Sequence, residues 1–294
     1  MSSHDPWTIG RLLSWTADFL RQRGSESPQL DAQLLLAHAR KCRRIDLFTS
    51  YGEVASEQLR SEFRELIRQR SEGTPVAYLT GSREFYSLEF QVTRDVLIPR
   101  PETEFVMLAL LDLIKAHFVQ TPSVSIVDVG TGSGILAICA ARHVPGSRIW
   151  ATEISDVARA VAGLNCQRHG VADRVQLLSG DLLAPLPPDV QIDFVISNPP
   201  YVSEPEYIAL PRDVKEHEPR GALVAGPTGV EVIERLVPEA ASRLRPGGWL
   251  VLEISPMIES AVQQIIARDG RFRETKTLPD LAGLPRVVQA VTRP

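Results

Sequence analysis

Cysteine is scarce in this chain. Cys42, Cys139 and Cys166 are the three in 294 residues, and no two form a C-x-x-C pair. That spacing argues against a disulfide framework or a thiolate metal site and suits a reducing cytoplasm. The six histidines show no i, i+4 pairing and no H-E-x-x-H, so no metal is expected. No apolar run approaches the roughly 18–20 residues of a membrane-spanning helix, so no membrane partner is expected. The opening MSSHDPWTIG lacks a basic start followed by an apolar core, which speaks against a signal peptide. A basic tail is missing too. Lys and Arg total 32 against 36 Asp and Glu, net −4, so bulk charge does not announce a nucleic-acid substrate. Local basic clusters exist, notably Arg40, Lys41, Arg43 and Arg44, which read as a solvated helix end, with a docking surface as the alternative.

What is present is an ordinary globular composition, 44% hydrophobic and 23% charged, arranged in two textures. Residues 1–75 read as helices. WTIGRLLSWTADFLRQRG places apolar residues near a 3.6 period and stops at Gly24. The next helix starts with Ser27 as cap and Pro28 in the first turn, and a third with Ser56 as cap and a Leu59, Phe63, Leu66, Ile67 stripe before Gly73. This predicts a small helical bundle. Residues 76–104 read as a connector with a short hairpin, ending in IPRPETE, which Pro99 and Pro101 stiffen. From 105 to 294, after one more helix, short Val/Ile/Leu runs alternate with helical patterns: SIVDVG, RIWATE, RVQLLSGD, IDFVIS, WLVLEIS and RVVQAV. Unbroken apolar strands between helices predict an α/β domain with a doubly wound, mostly parallel sheet.

VDVGTGSG follows the first of these strands and opens a helix. Gly130, Gly132 and Gly134 allow a tight turn and close backbone approach to a ligand, and the helix start offers free amides. The pattern is G-x-G-x-G rather than the dinucleotide G-x-G-x-x-G. Asp128, two residues before the first glycine, suits a ligand with a cationic end and would repel a pyrophosphate. Glu153 ends the second strand, where an acid can take both hydroxyls of a ribose. Asp181, after the third strand, is placed for an exocyclic adenine amine. A ligand with a cationic centre, a ribose and an adenine is S-adenosylmethionine; Thr131 and Leu182 complete its expected site.

The fourth strand runs into SNPPYV, residues 197–202. Asn198 has an accepting side-chain oxygen, and Pro199 has a carbonyl but no N–H. Two acceptors stiffened by Pro199 and Pro200 fit the two donors of one planar NH2 group. Tyr201 can stack on the conjugated system behind that nitrogen. Asn198, Pro199 and Tyr201 are therefore the candidate catalytic residues, and Asn198 also faces the reactive end of the cofactor. The tetrapeptide alone leaves glutamine and adenine both open as acceptors of the methyl group.

Together VDVGTGSG, ATEIS, GDLL and SNPPYV resemble class I S-adenosylmethionine-dependent methyltransferases of Rossmann-like fold. LIPRPETE, EPRGAL, LRPGGWLVLEI and the N-terminal SPQLDAQLLLAH are similar to the release-factor glutamine methyltransferases, the HemK/PrmC family. The resemblance spans about residues 9 to 292. It implies methyl transfer to the side-chain amide nitrogen of the glutamine in the Gly-Gly-Gln loop of bacterial class I peptide-chain release factors. Arg100, Glu102 and Glu104 would then sit near the glutamine entry, with an interdomain salt bridge as the alternative. Relatives that methylate a ribosomal-protein glutamine typically carry a serine-containing variant where this chain has Pro101-Glu102. DNA adenine methylation and a non-catalytic cofactor- or partner-binding module are further alternatives. The acidic balance and the lack of a large insertion after NPPY argue against the first, the intact glycine loop and NPPY against the second. One departure stands out: after LEI, where the family commonly has glycine and then glutamine, this chain has Ser255 and no glutamine through Ser260.

Overall fold

The computed structural model describes residues 6–118 and 123–294, so the first five residues of the opening segment lie outside the described residues. The chain divides into two compact units. One is Met1–Ser82 with Pro211–His217, and the other is Arg83–Leu210 with Glu218–Pro294.

In the first unit, α1 (Ile9–Gln22), α2 (Pro28–Arg40), α3 (Asp46–Thr49), α4 (Glu57–Ser71) and α5 (Val76–Thr80) bury one shared core around Leu20, Leu35, Leu36, Leu47 and Phe63. The Thr8 hydroxyl caps α1 by accepting the Arg11 N–H, and Ser56 caps α4 through Leu59. Ser27 occupies the cap position of α2 but makes no side-chain cap bond. Asp31 instead turns its carboxylate to Arg70 of α4 at 2.8 Å and to the Ser25 hydroxyl at 2.8 Å, pinning the two helices together. In the basic cluster, Arg40 pairs with Glu53 and Arg43 with Asp46 on the surface. Lys41 closes α2 in the left-handed conformation.

A hairpin of β1 (Ser82–Phe85) and β2 (Leu88–Gln91) follows, turning through Tyr86 and Ser87, both at positive φ. A strap with a 3-10 turn at Pro101–Thr103 then leads into α6 (Glu104–His117).

The second unit continues with β3 (Ser125–Val129), α7 (Ile135–His143), β4 (Arg148–Glu153), α8 (Asp156–Arg168), β5 (Val175–Ser179), β6 (Ile192–Ser197), β7 (Val202–Ser203) and α9 (Glu204–Ala209). After α10 (Arg212–His217), which belongs to the first unit, come α11 (Arg220–Leu223), β8 (Val224–Gly226), α12 (Glu231–Arg243), β9 (Leu244–Glu253), α13 (Glu259–Asp269), β10 (Phe272–Pro279) and β11 (Pro285–Thr292). Seven strands form one sheet in the order β10-β11-β9-β6-β3-β4-β5. All neighbours are parallel except β11, which runs antiparallel to both β9 and β10. Apolar clusters cover both faces, one with α6 and α7, the other with α12 and α13. That double cover explains why the inner strands are apolar without alternation. Strand order reverses at β3, which lies between β4 and β6, so the carboxyl ends of these strands border the crevice where open α/β sheets bind ligands.

Candidate active site

The glycine loop leaves β3 at that crevice. Gly130, Gly132 and Gly134 all take positive φ, at 69°, 57° and 88°. A side chain added at Gly130 or Gly132 would meet no protein atom within 4 Å, so the space over the loop is open. At Gly134 an added Cβ would come within 3.0 Å of Ile138, so that glycine serves packing. The Gly130 and Thr131 amides both donate to the Thr152 carbonyl and tie the loop to β4.

Asp128 is buried and turned into the protein. Its Oδ2 accepts the Thr131 hydroxyl at 2.6 Å and the Ala137 N–H at 3.1 Å. Burial, which outweighs these two bonds, pushes its pKa up to about 7, with Glu153 nearby adding to the rise. Asp128 thus fastens the loop to the start of α7. Glu153 ends β4 with one carboxylate oxygen on the Gly132 N–H at 2.9 Å and the other on the Ser155 N–H at 3.0 Å. Each oxygen keeps a lone pair for a further donor. Asp181 is half exposed and ion-paired with Arg235. Leu182 beside it holds φ at 45°, unusual for a residue with a side chain.

Asn198 follows β6. Its Nδ2 donates to the Thr103 hydroxyl oxygen at 3.0 Å, which turns its Oδ1 the opposite way. Pro199 is buried and Pro200 half-buried. The Tyr201 hydroxyl donates to Glu253 Oε1 at 3.0 Å, which fixes where the ring lies. Burial, and then the Glu253 charge, push the Tyr201 phenol far above its ordinary pKa. The chain leaves the tetrapeptide through the β7–β8 pairing and a capping box, Ser203 with Glu206, that starts α9. A side chain on Gly229 would come within 2.8 Å of the Tyr201 carbonyl, so the neighbouring loop needs glycine there.

The strap residues divide by role. Arg100 ion-pairs with the buried Glu218 of EPRGAL and donates to the Ile98 carbonyl at 2.9 Å, while the Ile98 N–H donates to the same carboxylate at 3.1 Å. Both partners lie within the second unit, so Arg100 is committed to holding the strap rather than to a bridge between units. Glu104 accepts the Tyr86 N–H at 2.9 Å and secures the hairpin. Glu102 is half-buried and raises the pKa of Glu253 through its charge. Ser255 caps the turn after β9 by accepting the Met257 N–H at 3.3 Å.

Sequence reasoning passed over Thr103, Glu218 and Glu253. Glu253 stands where a buried apolar strand ends beside β6, the same position that singled out Glu153 on β4. Among the described residues no group of three or more His, Cys, Asp or Glu side chains is placed to hold a metal. No described helix is long and apolar enough to cross a membrane.

Sheet order, the open glycine loop and the strand-end acids define a Rossmann-like methyltransferase fold. Solved structures agree on the fold. The catalytic domain of hMettl16 in complex with an RNA hairpin matches with a TM-score of 0.57 at 18% identity, covering 74% of this chain and 82% of that one. A T. thermophilus 16S rRNA methyltransferase, RsmC, in complex with AdoMet and guanosine matches with a TM-score of 0.52 at 20% identity, covering 72% and 50%. Two family models match along the chain, the PrmC N-terminal domain at residues 11–81 and the methyltransferase small domain at 109–210. The release factor glutamine methyltransferase of Rhodopirellula baltica is 47% identical over 98% of this chain and 97% of its own length. That of Moorella thermoacetica is 40% identical over 97% and 99%, and that of Bacillus subtilis 34% over 97% and 98%. The chain belongs to the release factor glutamine methyltransferase family.

Proposed function

We propose that this protein methylates the side-chain amide nitrogen of the glutamine in the Gly-Gly-Gln loop of bacterial class I peptide-chain release factors, with S-adenosylmethionine as donor. The observation that carries the reading is the orientation of Asn198: with its NH2 spent on Thr103, its oxygen is left as an acceptor at the crevice. The donor fits the residues around the loop. Open space lies over Gly130 and Gly132, Glu153 retains lone pairs for ribose hydroxyls, and Asp181 with Leu182 borders the adenine end. Asp128 and Thr131 shape the loop from beneath. When bound, S-adenosylmethionine supplies an activated methyl on a cationic sulfur.

An amide nitrogen is a poor nucleophile because its lone pair is delocalised. Asn198 Oδ1 and the Pro199 carbonyl accept its two N–H groups, align the nitrogen and stabilise positive charge as it develops there. Pro200 stiffens the turn, and the Tyr201 ring packs on the amide plane with Glu102 at the entry. As the nitrogen took the methyl group, the donor's methyl–sulfur bond would break and leave a neutral thioether, and the now cationic, acidic nitrogen would shed one proton to water. Tyr201 does not serve as base, since its hydroxyl already donates to Glu253.

Labelled S-adenosylmethionine, the enzyme and release factor, wild type against a glutamine-substituted loop, supply the test. Label on the loop peptide of the wild-type factor alone supports the reading. Equal labelling of both factors would refute it.

A further inference from the structure

Leu281 is the most exposed large apolar side chain among the described residues, at 97%. It stands in the turn that joins β10 to β11, and Leu284 of the same turn is half exposed. Met257, in the 3-10 turn that follows β9, is 80% exposed. A single exposed leucine needs no explanation. Two observations set these three apart: how firmly the chain holds them, and where.

The β10–β11 turn is locked from inside. Asp280 Oδ1 accepts the Ala282 N–H at 2.9 Å and the Leu284 N–H at 3.0 Å. Its Oδ2 takes the Arg286 guanidinium at 3.1 Å, and both side chains are largely covered. Arg286 also donates to the Ile254 carbonyl at 3.4 Å, while the Ile254 N–H donates to the Arg286 carbonyl at 2.8 Å. Gly283, at a φ of 79°, lets the chain close, with its N–H on the Asp280 carbonyl at 3.0 Å. Covering an ion pair costs desolvation of two charges. Yet the fold gains no apolar burial from Leu281 in return. Beside it, Ser255 fixes the Met257 turn by accepting the Met257 N–H at 3.3 Å.

Place in the sheet supplies the partner. The strand order runs β10-β11-β9-β6, and Asn198 follows the end of β6. Glu253, at the end of β9, accepts the Tyr201 hydroxyl at 3.0 Å, so the ends of β6 and β9 share one edge. β11 is antiparallel to β9, with Val287 opposite Glu253, so its start and the turn before it lie at that same edge. Neighbouring strands are about 4.8 Å apart, which puts the start of β11 roughly 10 Å from the end of β6. An extended chain advances about 3.3 Å per residue. A peptide leaving the Asn198–Pro199 clamp in that direction arrives after roughly three residues.

We propose that Leu281, Leu284 and Met257 form a ledge that binds an apolar side chain of the substrate protein, about three residues from the target glutamine in the same extended segment. This rests on the glutamine reading above and deepens it: the clamp selects the chemical group, and the ledge selects which protein glutamine reaches it. A turn locked in advance loses little freedom on docking, so its leucines add affinity at low entropic cost. The ledge touches none of the reacting atoms and acts on binding.

The experiment measures kcat, KM for release factor and cofactor Kd for the wild type, L281S, M257S and L281S/M257S. L164S, which removes an exposed leucine from α8, controls for loss of surface apolar area. All these side chains are exposed, so thermal melts should match the wild type. L281S should raise KM about tenfold and the double variant further, with kcat within about threefold and Kd unchanged. L164S should alter none of the three. In a second arm, Leu281 is replaced by photo-crosslinking benzoylphenylalanine and the illuminated mixture with release factor is mapped by mass analysis. The cross-link should fall within a few residues of the loop glutamine. An unchanged KM in the double variant, a loss confined to kcat, or a cross-link to a remote part of the factor or to a second copy of the enzyme would overturn the ledge while leaving the glutamine reading intact. Absence of release-factor methylation by the wild type would remove that reading and the ledge with it.

Discussion

Asp128 and Thr131 are bonded side chain to side chain at 2.6 Å, inside the glycine loop and out of the open crevice. The acid therefore fixes the shape of the loop. Its pKa is raised, so the folded state binds the proton more tightly than the unfolded chain. Its protonated form stabilises the fold below the ordinary carboxylate range, near pH 4, and that stability is lost as pH rises to about 7. Asp128→Asn keeps an accepting oxygen but removes the titration. The drop in unfolding free energy between pH 5 and pH 8 should shrink by roughly 3 kcal/mol, at about 1.4 kcal/mol per pH unit up to about pH 7. Denaturant melts at the two pH values check it, and an unchanged drop contradicts the assignment.

Gly132 and Gly134 should respond differently to alanine. Both sit at positive φ, so each substitution costs on the order of 1 kcal/mol of stability from backbone strain. At Gly134 the new Cβ also presses on Ile138 and Ala162, so its melting temperature should fall further. At Gly132 the Cβ enters open space where the ligand is expected, so affinity for S-adenosylmethionine should fall at least tenfold with a smaller loss of stability. Calorimetric titration beside thermal melts separates the two, and equal ligand affinities would argue that the space over Gly132 is not the binding site.

Glu218 holds the strap by two bonds, one to the Ile98 amide and one to Arg100. Glu218→Ala leaves a buried N–H without its acceptor and a guanidinium without its partner. A loss of about 2–4 kcal/mol is expected. Chemical denaturation measures it; a loss below about 0.5 kcal/mol would show that the strap does not depend on this pair.

Much of this was legible beforehand because β3, β4, β6 and β9 are covered on both faces and so read as unbroken apolar runs. β10 was not expected. As the sheet's edge strand, FRETKTLP exposes most of its polar side chains, and only Phe272 is buried. Segments α9, α10 and α11 were unread for a related reason: each is a short helix of four to six residues without a full apolar period. Among the candidate site residues, local patterns singled out Asn198, Tyr201 and Glu153 as groups at strand ends. Direction was another matter. Nothing along the chain told that Asp128 points inward or that Arg100 meets Glu218, 118 positions away. Thr103 and Glu253 escaped because their partners also come from distant segments, 95 positions for Asn198 with Thr103 and 52 for Tyr201 with Glu253.

The most direct test of the account compares wild type with Asn198→Ala on intact release factor, with cofactor affinity measured in parallel. Wild-type enzyme should place one methyl group on the loop glutamine, located by mass analysis of that peptide. Asn198→Ala should bind S-adenosylmethionine within a few-fold of wild type yet transfer methyl at least about 100-fold more slowly. Undiminished transfer by Asn198→Ala, or a methyl group placed elsewhere on the factor, would contradict the central claim that this amide holds the glutamine nitrogen for methylation.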